Sequence, residues 1–201
     1  MQKPERLLSE QLAGYNLILA SGSPRRKTLL EQLNLPFSVQ QTDVEEVFPP
    51  QLEGREIPEY LSRLKAGALS GRLADREILI TADTIVWHKG ELLGKPQGRD
   101  EALQMLRRLS GDWHEVISAV CITSPHKQLC TTEVTSVKFR DLVRDDISYY
   151  VDTCKPMDKA GAYGIQEWIG LVGIEEIKGS YQNVVGLPTH RVFELLSAMV
   201  R

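Results

Sequence analysis

From about Asn16 onward, apolar runs of strand length alternate with segments of helical periodicity, and that alternation predicts an α/β fold. Two β-rich runs in the middle, HEVISAVCITS (114–124) and QLCTTEVTSVKFR (128–140), are joined only by PHK, which predicts a long antiparallel hairpin. A hairpin among βα units makes the sheet mixed, not purely parallel. At 201 residues the chain can form one large core, or two small lobes sharing a sheet.

The first element, ERLLSEQL (5–12), reads as a short amphipathic helix appended ahead of the main fold. NLILA (16–20) is a buried strand, short, apolar and ended by small residues. PRRKTLLEQLNLP (24–36) is a helix with Ser23 as N-cap and Pro24 at the first helical position, its Leu29, Leu30 and Leu33 sharing a face. FSVQQ (37–41) follows as a second strand. DVEEVFPPQLEGRE (43–56), acidic and proline-bearing, reads as a loop, and IPEYLSRLKAGALSGRLA (57–74) as a helix. EILITADTIVWHKGELLGKP (77–96) predicts a strand, a break at small residues, then a hairpin turning at Lys89-Gly90. GRDEALQMLRRLSG (98–111) is a helix entered near Asp100 and closed by Gly111. RDDISYYVDTC (144–154) is a short helix, IGLVGIEEIKGSY (169–181) is strand-like, and LPTHRVFELLSAMV (187–200) is the final helix.

The formal net charge of −3 argues against a general nucleic-acid binder, so any anion site must be a local concentration of positive charge. The three cysteines are scattered and lack a CxxC pair, which suits free thiols in a reducing cytoplasm. The N-terminal segment carries charges throughout, with no signal-peptide core, and no run approaches membrane-span length. The expectation is a cytoplasmic protein with no membrane or nucleic-acid partner.

One stretch opposes simple helix physics. In ASGSPRRK (20–27), Arg25, Arg26 and Lys27 occupy the first turn, where the dipole is already positive and each cation costs roughly 0.3–1 kcal/mol. A solvated basic turn would account for them. So would an oxyanion pocket combining strand-end amides, Ser21 and Ser23 hydroxyls, the helix terminus and two guanidiniums. GxxxxGK[ST] and GxGxxG are both absent. Asp83 follows an apolar strand, where an acid either forms a turn or faces a ligand crevice. Lys95 lies between Gly94 and Pro96, while Lys65 sits in a helical segment. Lys159 and Gln166 flank a Gly-Ala stretch that would let backbone approach a ligand. Glu45 and Glu46 read as an acidic loop. No histidine pair has metal-ligand spacing, and no serine or cysteine has an evident activating partner.

Taken together, LASGSPRRKTLL, DVEE, RLKA, TADTIV, GKPQGRDEALQMLRRLSG, HEVISAV, PMDKAGAYGIQ and GSYQNVVGLP resemble, in order, the motifs of the Maf family of nucleoside triphosphate pyrophosphatases. The resemblance runs from about Asn16 to the C-terminus. It implies a single catalytic domain over 16–201 behind an N-terminal extension over 1–15. The fold implied is inosine-triphosphatase-like, an elongated mixed sheet flanked by helices around a central cleft. It also implies hydrolysis of a nucleoside triphosphate to the monophosphate and pyrophosphate with a divalent metal, Mg²⁺ or Mn²⁺. Ser21, Arg25, Arg26, Lys65 and Lys95 match the family's phosphate-binding positions. Asp83 matches its proton acceptor, and Glu45 with Asp83 its metal-binding acids. Arg25, Thr84 and Gln166 resemble the branch that prefers dTTP and UTP over the one that prefers 7-methyl-GTP. Where many members read GIQG, this chain reads GIQEWIGLVG, which puts Glu167 and Trp168 beside Gln166. The fold analogy suggests a homodimer. The rival readings are a nucleotide-binding regulator of septum formation without catalysis, and a pyrophosphatase of another base preference, such as ITP or XTP.

Overall fold

The chain's computed structural model describes residues 7–200; residues 1–6 of the expected N-terminal extension, and Arg201, lie outside them. Three strands pair in parallel, with β1 (Asn16–Leu19) between β2 (Phe37–Val39) and β3 (Glu77–His88). Beyond the end of β1, β3 runs on to pair antiparallel with β4 (Glu91–Leu93), and along its other edge it pairs antiparallel with β5 (Trp113–Thr123). The predicted hairpin of β5 and β6 (Gln128–Phe139) and then β7 (Ile174–Lys178) extend the antiparallel half. The result is one mixed seven-stranded sheet in the order β2-β1-β3-β5-β6-β7, with β4 beside β3.

The expected break at TADT does not occur. Residues 77–88 form one continuous strand, so Asp83 and Thr84 lie inside it and not at its end. β5 supports this continuity, its ladder running from Leu79↔Thr123 to Trp87↔Glu115 without interruption. The opposite edge differs, since β1 pairs β3 only as far as Ile80 and β4 takes up pairing with β3 only from Val86. Residues 81–85 are therefore left without a strand partner on that edge, and this gap in the sheet opens the cleft. Side chains alternate across a strand, so Asp83 and Thr84 face opposite sides of the sheet.

Helices cover both faces. On one side, α3 (Glu56–Ser70) lays Ile57 and Leu61 against Ile85 and Ile117, and Ala66 and Leu69 against Ile18 and Leu79. On the other, α2 (Pro24–Glu31) and α8 (Thr189–Met199) enclose a cluster that includes Leu19, Leu30, Ile80, Ile122, Val192 and Leu196. Leu8 and Leu12, in and just after α1 (Leu8–Gln11), are buried in the same cluster, so the described part of the N-terminal segment packs into the body. A further core lies between α4 (Arg99–Leu109), α5 (Arg144–Cys154) and the far end of the hairpin, with Leu106, Phe139 and Tyr150 at its centre. Gly111 closes α4 at φ 71°, as its sequence position predicts.

Two further expectations are corrected. The strand-like stretch from Ile169 divides into α6 (Trp168–Gly173) and β7, because Ile169 and Gly173, four apart, bury one helical face. Gly170 fits only as glycine, since a Cβ there would lie 1.8 Å from the Ile165 carbonyl oxygen. The cysteines are not all free: Cys121 and Cys130 form a disulfide, and Cys154 remains a thiol. The hairpin register sets them directly opposite with Cα atoms 4.1 Å apart, a juxtaposition that linear spacing does not reveal. Among the described residues no helix is long and apolar enough to cross a membrane.

Candidate active site

The gap on the edge of β3 opens into a cleft of about 670 Å³. Ser21–Arg26 line it, so the first turn of α2, with its unpaired donors and positive dipole end, borders the cavity. Ser23 caps the helix, its Oγ accepting from Arg26 N at 3.5 Å. Arg26 then reaches across three elements. Its Nε donates to the Gly186 carbonyl (2.9 Å), Nη1 to Ser21 Oγ (3.4 Å) and Nη2 to Thr84 Oγ1 (3.1 Å). Thr84 also shares a hydrogen bond with Ser118 Oγ (2.8 Å), directly opposite on β5. Gly186, which follows the short helix α7 (Tyr181–Val185), adopts φ 127°, a backbone suited to glycine. Burial lowers the Arg26 pKa below the usual guanidinium value, against the pull of Asp83 and Glu46.

On the other face of β3, Asp83 Oδ1 accepts from Lys65 Nζ at 2.6 Å, and the same ammonium lies 2.7 Å from Glu46 Oε1. Asp83 and Lys65 are both buried. Burial raises the Asp83 pKa, only partly offset by Lys65 and Arg26. For Glu46 the balance is reversed: burial pushes its pKa up, but the hydrogen bond and charge of Lys65, with Lys95 and Arg26, hold it below the ordinary carboxylate value. The two acids are thus tuned apart, with Asp83 the more basic, as expected where one carboxylate takes a proton and another stays ionised.

The third wall follows α5. Arg25 Nη1 pairs with Asp158 Oδ2 at 2.7 Å, and Asp158 Oδ1 holds Lys159 Nζ at 2.7 Å. Lys159, itself buried, also contacts Glu167 Oε1 at 3.0 Å. The other Glu167 oxygen accepts from the Tyr150 hydroxyl, which in turn accepts from Gly164 N. Behind this wall, Tyr163 lines the cleft and its hydroxyl meets His114 Nε2 at 2.7 Å.

The structure therefore brings Ser21, Arg25, Arg26, Lys65, Asp83, Thr84 and Lys95 to one cavity. Gln166 is exposed and lies two residues beyond the lining residue Gly164. Glu45 is exposed and does not line the cleft; Glu46 does, and it is Glu46 that joins Asp83 on Lys65. An acidic pair in a loop has no period to say which member turns inward. Asp158 was passed over in the sequence, although its place between Pro156 and the Gly-Ala stretch, next to Lys159, was the available signal. Among the described lining residues, five cationic side chains face three carboxylates, in a chain of net charge −3. The local excess is positive, as a polyanion site requires.

Comparison with known proteins finds relatives along nearly the whole chain. The profile of the family described as Maf-like protein matches residues 16–199. The chain is 47% identical over 194 residues to a protein of Flavobacterium johnsoniae named dTTP/UTP pyrophosphatase, covering 96% of this chain and 100% of that one. It is 51% identical over 186 residues to one of the same name from Bacteroides fragilis, covering 92% and 96%. Among solved structures, the Ham1 protein of Staphylococcus aureus superposes with a TM-score of 0.50 at 15% identity, covering 92% of this chain and 99% of that one, a likeness of fold.

Proposed function

Since the chain belongs to the Maf-like protein family, we propose that it is a nucleoside triphosphate pyrophosphatase that hydrolyses dTTP and UTP to the monophosphate and pyrophosphate. The observation that carries this reading is a buried carboxylate of raised pKa, Asp83, between Lys65 and Arg26 in a cleft with excess positive charge. Water attacks the α-phosphorus in line with the departing pyrophosphate. Asp83 Oδ1 is held by Lys65, and its other oxygen takes the water's proton, a role favoured by its raised pKa. The arginine forks suit paired phosphate oxygens, whereas the lysines act as point charges on the developing negative charge.

A divalent cation, Mg²⁺ or Mn²⁺, fits the donor set. Among the described residues no cluster of three or more acids, histidines or cysteines would cage a metal by itself. Glu46, which gives Lys65 only its Oε1, lies beside Asp83 and would hold such an ion together with phosphate oxygens and waters, leaving the free Asp83 oxygen for the proton. When bound, the ion would neutralise charge on the phosphoryl oxygens.

For the base, Thr84 is fixed in the cleft by Arg26 and Ser118, and Gln166, exposed two residues beyond the lining Gly164, carries an amide that would pair with a pyrimidine edge. The test is pyrophosphate release from a panel of dTTP, UTP, 7-methyl-GTP, ITP and XTP with Mg²⁺ or Mn²⁺. Highest kcat/KM for dTTP and UTP is expected. Preference for a purine nucleotide would reject the base assignment, and no release from any would favour a binding role without catalysis.

A further inference from the structure

The ion pairs of the cleft fall into two kinds. The inner group, Lys65 with Asp83, is enclosed, with side chains 10% and 9% exposed. The outer group centres on Asp158, 57% exposed, whose two oxygens each hold one cation: its neighbour Lys159, and Arg25, 133 positions away on α2. Arg26 is tied to neutral oxygens, whereas Arg25 is neutralised by a carboxylate of the chain itself. Two 2.7 Å charge-assisted bonds from one anion to cations on two elements are the pattern two phosphate oxygens would make. Asp158 is the exposed partner, at 57% against 24% for Arg25 and 9% for Lys159, so solvent screens its carboxylate and an anion of higher charge can displace it from Arg25.

We propose that Asp158 is an internal anion that occupies Arg25 until a polyphosphate chain takes its place, an inference that rests on the reading of the cleft as a nucleoside triphosphate site. Asp158 is then a positioning residue that sets the affinity for the phosphate chain through Arg25. Its carboxylate stays near the bound phosphates and opposes them, so it holds affinity down and eases release of pyrophosphate. A purely structural Asp158, keeping Arg25 and Lys159 ready for the ligand, requires the opposite sign: its loss would weaken binding.

Calorimetry with inorganic tripolyphosphate, a probe without a base, separates the two. The full-length protein is compared with Asp158→Asn, Arg25→Ala and the double variant, at low and high salt. Asp158→Ser is a second variant, and thermal unfolding confirms that each is folded. Both Asp158 variants are expected to bind tripolyphosphate more tightly, on the order of tenfold at low salt. The gain shrinks at high salt and disappears in the Arg25→Ala background. Equal or weaker binding, a gain as large without Arg25, or no tripolyphosphate binding by any form overturns the proposal. Failure to turn over dTTP or UTP would reject the functional reading while leaving the tripolyphosphate comparison intact.

Discussion

Asp83 owes its chemistry to its neighbours. Burial raises its pKa and the cations beside it restrain that rise, so the carboxylate remains available as a base but protonates at higher pH than a free aspartate. As pH falls through that raised pKa the base is lost, and the acid limb of the kcat/KM profile is expected above the ordinary aspartate value, near 3.9. A limb at or below that value would separate Asp83 from the rate. Thr84 makes the complementary contribution on the opposite face. Its Oγ1 meets Arg26, Ser118 and the Gly186 carbonyl, so Thr84→Val keeps the shape and leaves polar partners unpaired. The expected cost is about 1–3 kcal/mol, read as a shift in denaturation midpoint, with a rise in KM for the nucleotide.

The element that organises the site is β3, through the edge that β1 and β4 leave open between Ile80 and Val86. That gap was not legible in the sequence, where ADT resembles the end of a strand and small residues suggest a break. The continuity of β3 comes from β5, a partner distant in the chain, and local propensity carries no trace of it. The α2 turn was legible, because Ser23, Pro24 and two arginines are a local signature. The hairpin register was not, and with it the Cys121–Cys130 pair was missed. Alkylation of the unfolded, unreduced protein followed by mass measurement is expected to find one thiol, Cys154; three would contradict the pairing. His114 on β5 tests the packing behind the cleft. Burial, with smaller help from His88, pushes its pKa down to about 3, so the folded protein refuses a proton that the unfolded chain accepts below about 6.5. Stability is therefore expected to fall on acidification from about pH 6.5 towards 3, by up to about 1.4 kcal/mol per pH unit from this residue. His114→Gln should flatten that slope in urea titrations at pH 7 and pH 5; an unchanged slope would remove His114 from the linkage.

At the scale of the molecule, the cleft exists because one sheet is parallel at one end and antiparallel at the other, with helices supplying charge from both faces. α2 brings the arginines, α3 brings Lys65, and the segment after α5 brings Asp158 and Lys159. The family resemblance was legible along nearly the whole chain because its motifs are spread along it, each contributing at least one residue to the cleft. Which acid of the 45–46 pair turns inward, and what Arg25 binds, emerged only once distant segments were assembled. In the proposed reaction this assembly hydrolyses a nucleoside triphosphate with Asp83 as the base. Pyrophosphate release from dTTP by Asp83→Asn, measured beside the unaltered protein, tests it most directly. Asparagine keeps the side chain's shape and removes its basicity, so kcat is expected to fall at least ~100-fold while dTTP still binds. Turnover at the unaltered rate would place the chemistry on another residue and contradict the account.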